Sequence, residues 1–313
     1  MKHFLNTDSI TDIRGLAREA LELKSREGLS GLPGAGRILT CMYLNPSLRT
    51  RLSTEIAAHK LGMKCINLDA ASAWKLETKM GAIMDQDAAE HLKEQAKVLS
   101  AYSDIIAIRA FPGLKDRNED YHHDFLSKFA KYSTKPIVNL ESGSLHPLQG
   151  LADLMTILEA SEEVSPKVVL TWAPHPRQLP QSVPNSFSRT IQQAGMNLTI
   201  ACPEGMELSD EFSRNARVVH NQEEAFQDAD FIYAKNWSSF HSYGQTLDAP
   251  EWMITEEKMK ITNQGKFMHC LPVRRNVVVA DEVLDSPFSL IEEQATNRIY
   301  AAQIILKKIL ESL

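Results

Sequence analysis

The sequence predicts an α/β fold in which parallel sheets are covered by helices on both faces. Short, almost wholly apolar segments of strand length alternate with longer segments of helical periodicity, which is typical of such sheets. The alternation pauses at residues 164–166 (Val-Ser-Pro) and then restarts. The chain has 313 residues, a length that accommodates two domains. We therefore expect two α/β units joined by a helix.

The first half contains four predicted strands. Asp8 or Ser9 can cap the first helix, and a Gly/Pro-rich connector at 28–36 separates that helix from the first strand. The predicted elements are a helix over 10–24, a strand over 38–43, a helix over 52–61, a strand over 64–68, a helix over 88–101, a strand over 105–108, a helix over 122–132, a strand over 136–140 and a bridging helix over 148–159.

The second half repeats the alternation. Its predicted elements are strands over 167–172, 197–201, 231–234 and 266–269, and helices over 186–194 and 287–313. The last of these is strongly helical, because apolar residues recur along it every three or four positions.

Composition excludes several classes of protein. The hydrophobic fraction of 43% and the charged fraction of 24% are typical of soluble globular proteins. A net charge of -6 without a basic block does not favour nucleic acid as a partner. The four cysteines are scattered, which argues against a zinc ribbon or a disulfide scaffold and fits the cytoplasm. We see no signal peptide and no run long enough to span a membrane.

Residues 47–51 (Ser-Leu-Arg-Thr-Arg) form the most informative stretch. They follow a predicted strand and an Asn-Pro turn signal and precede a helix. A helix N-terminus binds anions through its free N–H groups, and hydroxyls and guanidinium groups add donors that fit phosphate. The stretch therefore predicts a phosphate site, although it has no Gly-x-x-x-x-Gly-Lys pattern. The alternative is a capped helix with two surface arginines.

Further polar residues follow the predicted strands where each strand ends. They are Arg109, Glu141 to Gln149, His175, Lys235 and Cys270 to Arg275. Ligands bind open α/β sheets at the carboxyl ends of strands, so this convergence supports one shared site. His146 could polarise a carbonyl oxygen and Gln149 could position an amide-like group. Each of these residues could instead be an ordinary loop or surface residue.

Three motifs together closely resemble those of the aspartate/ornithine transcarbamoylases. They are residues 47–51, residues 146–153 (His-Pro-x-Gln-x-Leu-x-Asp) and residues 269–272 (His-Cys-Leu-Pro). The resemblance implies two αβα domains, each with a central, mostly parallel sheet. Residues 1–150 with a returning helix at 287–313 would bind carbamoyl phosphate, and residues 151–286 would bind the amine substrate. The usual assembly is a homotrimer with shared active sites.

The branch of the family follows from other residues. The His-Cys-Leu-Pro form resembles the ornithine side, but the Ser-Met-Gly motif of ordinary ornithine enzymes is missing at residues 235–239. The Pro-rich residues 172–181 resemble the N-acylornithine transcarbamoylases, which use N-acetyl- or N-succinylornithine. Trp74 also fits, since this subgroup sends a tryptophan loop into the neighbouring active site.

The resemblance assigns a role to each matching residue. The phosphate would be held by Ser47, Leu48, Arg49, Thr50, Arg109, Arg298 and Trp74 of the partner subunit. The carbamoyl group would be held by His146 and Gln149, and the reaction centre lined by Cys270 and Leu271. The acylated amino acid would be held by Glu141, His175, Lys235 and Arg274. No metal and no cofactor are expected.

The expected reaction is direct transfer without a covalent enzyme intermediate. The unprotonated δ-amine would attack the carbamoyl carbon, while Arg49, Thr50 and His146 stabilise developing charge. Cys270 would shape and polarise the site. Covalent catalysis by Cys270 is the less favoured alternative, because no base is identifiable beside it in the sequence.

Glu90 bears on the choice of acyl group. The chain as a whole resembles the succinyl branch, but the subgroup position that Glu90 matches is acidic in acetyl enzymes. A carboxylate there would repel the second carboxylate of a succinyl group and tolerate a methyl group. Glu90 is therefore expected to favour N-acetylornithine on a succinyl-type framework. The alternative is a solvated residue at a helix start.

Other functions remain open at this point. A nicotinamide dehydrogenase is disfavoured, because no Gly-x-Gly-x-x-Gly follows a predicted strand. Unacylated ornithine and putrescine are alternative amines within the family. A non-catalytic phosphate-binding protein is an alternative of another class.

Overall fold

A computed structural model describes residues 1–25, 31–69, 75–122 and 124–313 and confirms the α/β fold. The strands of the first half are β1 (Ile38–Tyr43), β2 (Lys64–Asp69), β3 (Leu76–Glu77), β4 (Glu90–His91), β5 (Ile105–Arg109) and β6 (Ile137–Glu141). Four of them form a parallel sheet in the order β2-β1-β5-β6, and β3 pairs with β4 separately.

Both faces of this first sheet are buried. Along β1 and β5, Leu39 and Ile105 belong to one apolar cluster, while Met42 and Ile106 belong to another on the opposite face. Apolar residues on alternate positions therefore serve both faces, which explains the almost continuous hydrophobicity of these strands. The helices of this half are α1 (Ile13–Ser25), α2 (Leu48–Lys60), α3 (Leu92–Tyr102), α4 (Arg117–Tyr121), α5 (Asp124–Tyr132) and α6 (Pro147–Ala160).

The second half builds a five-stranded parallel sheet. Its strands are β7 (Lys167–Trp172), β8 (Asn197–Ala201), β9 (Arg217–Val219), β10 (Phe231–Lys235) and β11 (Lys266–Met268), in the order β11-β10-β7-β8-β9. Its helices are α7 (Ser182–Gln193), α8 (Asp210–Ser213), α9 (Gln222–Phe226), α10 (Glu256–Met259) and α11 (Asp281–Leu284), with a 3-10 turn at Pro250–Trp252.

The final helix, α12 (Ile291–Leu310), returns to the first half of the chain. It packs against α6, α2 and α1, and α6 also packs against α7. Ile305 and Ile309 are fully buried on this returning face. The expectation of a C-terminal helix packing on the first domain is thereby confirmed. Among the described residues, no helix combines the length and hydropathy needed to cross a membrane.

Several predicted boundaries were wrong for identifiable local reasons. The second helix begins at Leu48 rather than at residue 52, because the Ser47 side chain caps it. Glu90 lies in β4 and not at a helix start, so the third helix begins at Leu92 rather than at residue 88. The helix predicted over 122–132 is α5, which begins at Asp124, and the short helix α4 that precedes it was not predicted. Strand β9 and helices α8 to α11 have three to five residues each, too few to show a periodic pattern.

Candidate functional site

The carboxyl ends of strands from both sheets meet at a cleft of about 390 Å³. Residues from α2, β5, β6, α6 and α12 line one side, and residues from the β7, β10 and β11 ends line the other. The sequence-predicted residues in the lining are Ser47, Leu48, Arg49, Thr50, Arg109, Glu141, His146, Gln149, His175, Lys235, Cys270, Leu271 and Arg298. Fold topology thus brings together residues that lie up to 251 positions apart, from Ser47 to Arg298.

The N-terminus of α2 forms one end of the cleft. Ser47 is its N-cap, with an extended backbone and a side-chain oxygen that accepts from the Thr50 N–H at 3.3 Å. The first turn of a helix has N–H groups without intrahelical partners and carries partial positive charge. This end of the cleft is therefore suited to an anion.

Two arginines converge on the hydroxyl of Thr50. Arg298 Nη2 donates to Thr50 Oγ1 at 2.8 Å, and Arg109 Nη1 donates to the same oxygen at 3.3 Å. A hydroxyl oxygen has two lone pairs, so these two contacts occupy both. The hydroxyl hydrogen of Thr50 is then left to donate toward the cleft.

The described lining carries more positive than negative charge. Its cations are Arg49, Arg109, Lys235 and Arg298, and its carboxylate is Glu141. Burial, with Arg109 and Arg49 nearby, lowers the pKa of the Arg298 guanidinium. Burial also lowers the pKa of Arg49, again with a contribution from Arg109. The guanidinium groups nevertheless stay charged. The repulsion between the neighbouring charges of Arg49, Arg109 and Arg298 favours binding of a multiply charged anion.

Glu141 is firmly held by the protein. Its Oε2 accepts from Arg109 Nη1 at 2.5 Å, and its Oε1 accepts from the Ser182 hydroxyl at 2.7 Å. His146 Nε2 lies 3.7 Å from the same Oε2. The Arg109 guanidinium also lies over the ring of Phe111, 4.2 Å from its centroid. Glu141, Phe111 and Thr50 thus fix Arg109 from three sides, with its charge at the cleft.

His146 and Gln149 project from the first turn of α6. Burial, together with Arg298 and Arg109, lowers the pKa of His146 well below its ordinary value, so the ring is neutral at pH 7. Arg298 Nη2 lies 3.4 Å from His146 Nε2, and the His146 backbone N–H donates to Ser186 Oγ at 2.7 Å. His146 Nδ1 and Gln149 Oε1 make no hydrogen bond with any residue in the described part of the chain.

The turn after β11 forms the floor of the cleft. His269 Nδ1 accepts from the Leu271 backbone N–H at 2.9 Å, which closes the turn around Cys270. Burial raises the pKa of the Cys270 thiol, although Lys235 opposes this. A thiol with a raised pKa is a poor nucleophile at neutral pH, so this environment suits a lining residue better than a covalent catalyst.

The opposite end of the cleft carries His175 and Lys235. Arg274 Nε donates to His175 Nε2 at 3.2 Å, and His175 Nδ1 lies 2.9 Å from the Arg177 carbonyl oxygen. The Arg177 backbone N–H also lies 3.1 Å from His175 Nδ1, so Arg177 and Arg274 together hold the ring in place. Burial and the neighbouring Lys235 and Arg274 lower the pKa of His175, although its contact with the Arg177 carbonyl opposes this.

Both halves of the chain match one enzyme family. Residues 2–159 match the carbamoyl-P binding domain of the aspartate/ornithine carbamoyltransferases, and residues 180–309 match their Asp/Orn binding domain. The chain belongs to this family. It is therefore an enzyme, a carbamoyltransferase, as the resemblance of its three motifs implied.

Individual relatives extend the comparison over the full length. The chain is 45% identical to an N-succinylornithine carbamoyltransferase of Bacteroides thetaiotaomicron, and the match covers all of both chains. It is 35% identical to an N-acetylornithine carbamoyltransferase of Xanthomonas axonopodis pv. citri over 98% of this chain and 96% of the relative. A solved N-acetyl-L-ornithine transcarbamylase mutant, in which alanine replaces a glutamate, was complexed with carbamyl phosphate and N-succinyl-L-norvaline. It is similar at a TM-score of 0.93 with 34% identity, covering 99% of this chain and 100% of that chain.

Two of the described site residues that the sequence predicted, Arg274 and Glu90, do not line the cleft of this carbamoyltransferase. Arg274 is exposed and contacts the cleft residue His175. Glu90 is half-buried in β4, which pairs with β3 and lies outside the lining. Trp74 lies outside the described residues.

Sequence reasoning missed the apolar wall and some supporting residues. Phe111, Leu179 and Val183 line the cleft, and they carry no signal in the sequence beyond their closeness to Arg109 and to the Pro-rich residues 172–181. Ser182 and Ser186 were missed because serines in a helix are common. Their partners, Glu141 and the His146 backbone, come from the other half of the chain.

The neutral state of His146 predicts a pH dependence of stability. Below its ordinary pKa of 6.5 the unfolded chain takes up a proton that the folded chain does not, so stability falls as pH falls. Each such proton changes the free energy of unfolding by about 1.4 kcal/mol per pH unit. We expect His146→Gln to reduce the slope by about this amount between about pH 5 and pH 6.5 in chemical denaturation.

His59→Gln is the matched control, because His59 lies on the exposed face of α2. It should leave the slope of the parent protein unchanged. An unchanged slope in His146→Gln would contradict the neutral, buried state of His146.

Proposed function

We propose that this carbamoyltransferase transfers the carbamoyl group of carbamoyl phosphate to the δ-amine of an N-acyl-L-ornithine. The products are N-acyl-L-citrulline and phosphate, and we place the reaction in arginine biosynthesis in the cytoplasm. Support comes from the named relatives at 45% and 35% identity and from the carbamyl phosphate and N-succinyl-L-norvaline bound in the related solved structure. The four cysteines are free, which is consistent with a reducing compartment.

One observation carries the proposal. Three guanidinium groups and a helix N-terminus surround Thr50, and His146 and Gln149 lie in the same cleft with polar atoms that have no described protein partner. The guanidinium groups and the helix N-terminus supply the donors that a phosphate requires. His146 and Gln149 supply the hydrogen-bond donor and acceptor that a planar carbamoyl group requires. Carbamoyl phosphate contains both parts in one small molecule.

In this proposal the residues divide into three groups. Ser47, Leu48, Arg49, Thr50, Arg109 and Arg298 bind the phosphate, with Trp74 of the partner subunit. His146, Gln149, Cys270 and Leu271 surround the carbamoyl group. Glu141, His175, Lys235 and Arg274 bind the acylornithine, in which Lys235 and Arg274 suit the α-carboxylate.

The proposed chemistry is a single displacement at the carbamoyl carbon. The lone pair of the neutral δ-amine forms the new N–C bond, and the C–O bond to phosphate breaks with its electron pair leaving on phosphate. The attacking nitrogen gives up one proton, and the leaving phosphate accepts it. Arg49, Arg109, Arg298 and the Thr50 hydroxyl stabilise that negative charge as it develops. Neutral His146 is available as a hydrogen-bonding partner for the carbonyl oxygen. The raised pKa of Cys270 supports direct transfer over a covalent intermediate.

The acyl group is either acetyl or succinyl, and we propose that Glu90 favours acetyl. A second carboxylate on the substrate would be repelled by Glu90, whereas a methyl group would not. The related mutant that holds N-succinyl-L-norvaline lacks one glutamate, which supports control of the acyl group by a glutamate. Since Glu90 does not line the cleft of its own chain, this role requires that it act on a neighbouring subunit's cleft.

We propose that the enzyme is a homotrimer. Leu48, Leu52 and Ile56 follow one another at four-residue spacing on α2 and are 69%, 49% and 38% exposed. Such a stripe is a candidate contact surface, and it begins at Leu48 in the cleft itself. Met80 and Ile83, which follow Trp74 in the chain, are also exposed. A second copy that packs on this stripe would bring the clefts of two subunits, and the exposed residues Met80 and Ile83 of each, close together.

Substitution of Arg49 tests the assignment of the phosphate end. Arg49→Ala removes one charge that stabilises the leaving phosphate, and we expect kcat/KM for carbamoyl phosphate to fall by about a hundredfold or more. The measurement is citrulline-type product formed from carbamoyl phosphate and acylornithine. Arg51→Ala is the control, since Arg51 lies in the same stretch but is exposed and outside the cleft. Near-normal transfer by Arg49→Ala would contradict the assignment.

A substrate panel tests the acyl preference. With N-acetylornithine, N-succinylornithine, ornithine and putrescine, we expect the highest kcat/KM for N-acetylornithine. Glu90→Ala should raise kcat/KM for N-succinylornithine by about tenfold, because a nearby carboxylate repulsion of about 1.4 kcal/mol is removed.

The control is Glu94→Ala, which removes the same charge from an exposed position in the first turn of α3. A strong succinyl preference in the parent protein, unchanged by Glu90→Ala, would refute the role of Glu90. A preference for ornithine or putrescine would refute the N-acylornithine proposal.

Light scattering after size-exclusion chromatography tests the trimer. The parent protein should have about three times the 35.1 kDa mass of the chain. Leu52→Asp combined with Ile56→Asp should lower that mass, because it places charge in the middle of the apolar stripe. Val164→Asp changes an equally apolar, 77% exposed residue elsewhere and should leave the mass unchanged. A monomeric parent would contradict the proposal.

A further inference from the structure

Asp153 is a fully buried carboxylate behind the cleft. It lies on α6, one turn after Gln149, and its side chain points into the contact between α6 and α12. Gln149 Nε2 donates to Asp153 Oδ1 at 2.7 Å, and Gln294 Nε2 donates to the same oxygen at 2.6 Å. Two glutamine side chains from different helices are therefore held by one carboxylate oxygen.

These two contacts fix which way the Gln149 amide faces. Because Asp153 Oδ1 is an acceptor, the amide nitrogen of Gln149 must point toward it. Gln149 Oε1 then points away, and it makes no hydrogen bond with any residue in the described ranges. Gln149 lines the cleft. The protein thus presents the acceptor of this amide, its carbonyl oxygen, at this position, and not the donor NH₂ group.

The second glutamine connects the same carboxylate to the other wall of the cleft. Gln294 Oε1 accepts from the His269 backbone N–H at 2.9 Å. His269 in turn holds the backbone of Leu271, so the turn around Cys270 is tied to Asp153 through Gln294. Gln294 also lies one helical turn before Arg298 on α12. Asp153 therefore contacts neither cleft nor turn directly, but it orients the side chains that do.

Burial raises the pKa of Asp153 to about 7, although hydrogen bonds from Gln149 and Gln294 oppose this. A carboxyl group needs only one unprotonated oxygen to accept from both amides. Both protonation states can keep the two contacts if the proton resides on Oδ2. The geometry therefore does not depend on full ionisation.

We propose that Asp153 is a positioning residue for carbamoyl transfer. It orients Gln149 so that Oε1 accepts a hydrogen bond from the carbamoyl –NH₂ group, and it orients Gln294 so that the Cys270 turn is held against that group. This inference rests on the proposed function, because the –NH₂ group is that of carbamoyl phosphate. It adds Asp153 to that function. By orienting Gln149 Oε1 toward the ligand, Asp153 favours a ligand with an –NH₂ donor over one with a carboxylate at this position.

Asp153→Ala and Asp153→Asn form the central test. Alanine removes the acceptor, so Gln149 is free to turn, and misplacement of a substrate-orienting group lowers rates by about a hundredfold. We expect kcat/KM for carbamoyl phosphate to fall by about that factor in Asp153→Ala. Asparagine retains a carbonyl oxygen that can accept from both glutamines, so Asp153→Asn should stay within a few-fold of the parent protein.

Thr156→Val is the matched control. Thr156 lies one turn further along α6, is equally buried, and accepts from Asn297 Nδ2 on α12 at 3.0 Å. It belongs to the same helix contact, but its partners do not line the cleft. We expect Thr156→Val to lower thermal stability while leaving kcat/KM near that of the parent.

A double-mutant cycle separates positioning from general support of the fold. If Asp153 acts mainly through Gln149, Asp153→Ala should lower the rate much less in a Gln149→Ala background than in the parent. Equal losses in both backgrounds would overturn the inference, and so would a parent-like rate in folded Asp153→Ala. Should Asp153→Ala fail to fold, Gln294→Met breaks the other arm while filling its volume. A parent-like rate in folded Gln294→Met would then overturn the inference. Absence of carbamoyl transfer in the parent protein would instead refute the proposed function.

Discussion

The site depends on a buried arginine, Arg298, which the last helix brings back to the first half of the chain. Arg298 is 7% exposed, and its guanidinium reaches Thr50 at 2.8 Å and lies beside His146. Burying an unpaired guanidinium is unfavourable, so this position persists only because α12 is held by apolar packing against α6, α2 and α1. The packing of α12 therefore holds the positive charge of Arg298 in a buried position, where it is less well solvated than it would be in water. In the proposed function, binding of the phosphate dianion offsets this desolvation.

The same logic explains the remaining groups in the cleft. Arg109 is neutralised in part by Glu141, which is itself held by Ser182 from the second half of the chain. The resulting hydrogen bond network links the first sheet to α7 across the cleft. His146 and His269 are fully buried and kept neutral by their surroundings, so they act as hydrogen-bonding groups and add no further positive charge. The cleft thus combines a cationic end, a neutral polar centre and a second cationic end at Lys235.

Much of this arrangement was predictable from the sequence, and the limits have physical causes. Strands such as β5 and β7 were predictable because a parallel sheet buries both faces and leaves a continuous apolar run. Arg109, His175 and Lys235 were predictable as cleft residues because parallel strands share one carboxyl edge. Phe111, Leu179 and Val183 were not, because apolar residues in loops carry no pattern that separates a cleft wall from a core. The link from Asp153 to Gln294 joins residues 141 positions apart, and no local signal in one chain reports it.

A crystal structure with phosphonoacetamide, a stable analogue of carbamoyl phosphate, would test the account most directly. The account predicts the phosphonate at the N-terminus of α2, between Arg49, Arg109 and Arg298. It predicts the amide nitrogen of the analogue within hydrogen-bond distance of Gln149 Oε1. A phosphonate bound at the Lys235 end, or outside this cleft altogether, would contradict it.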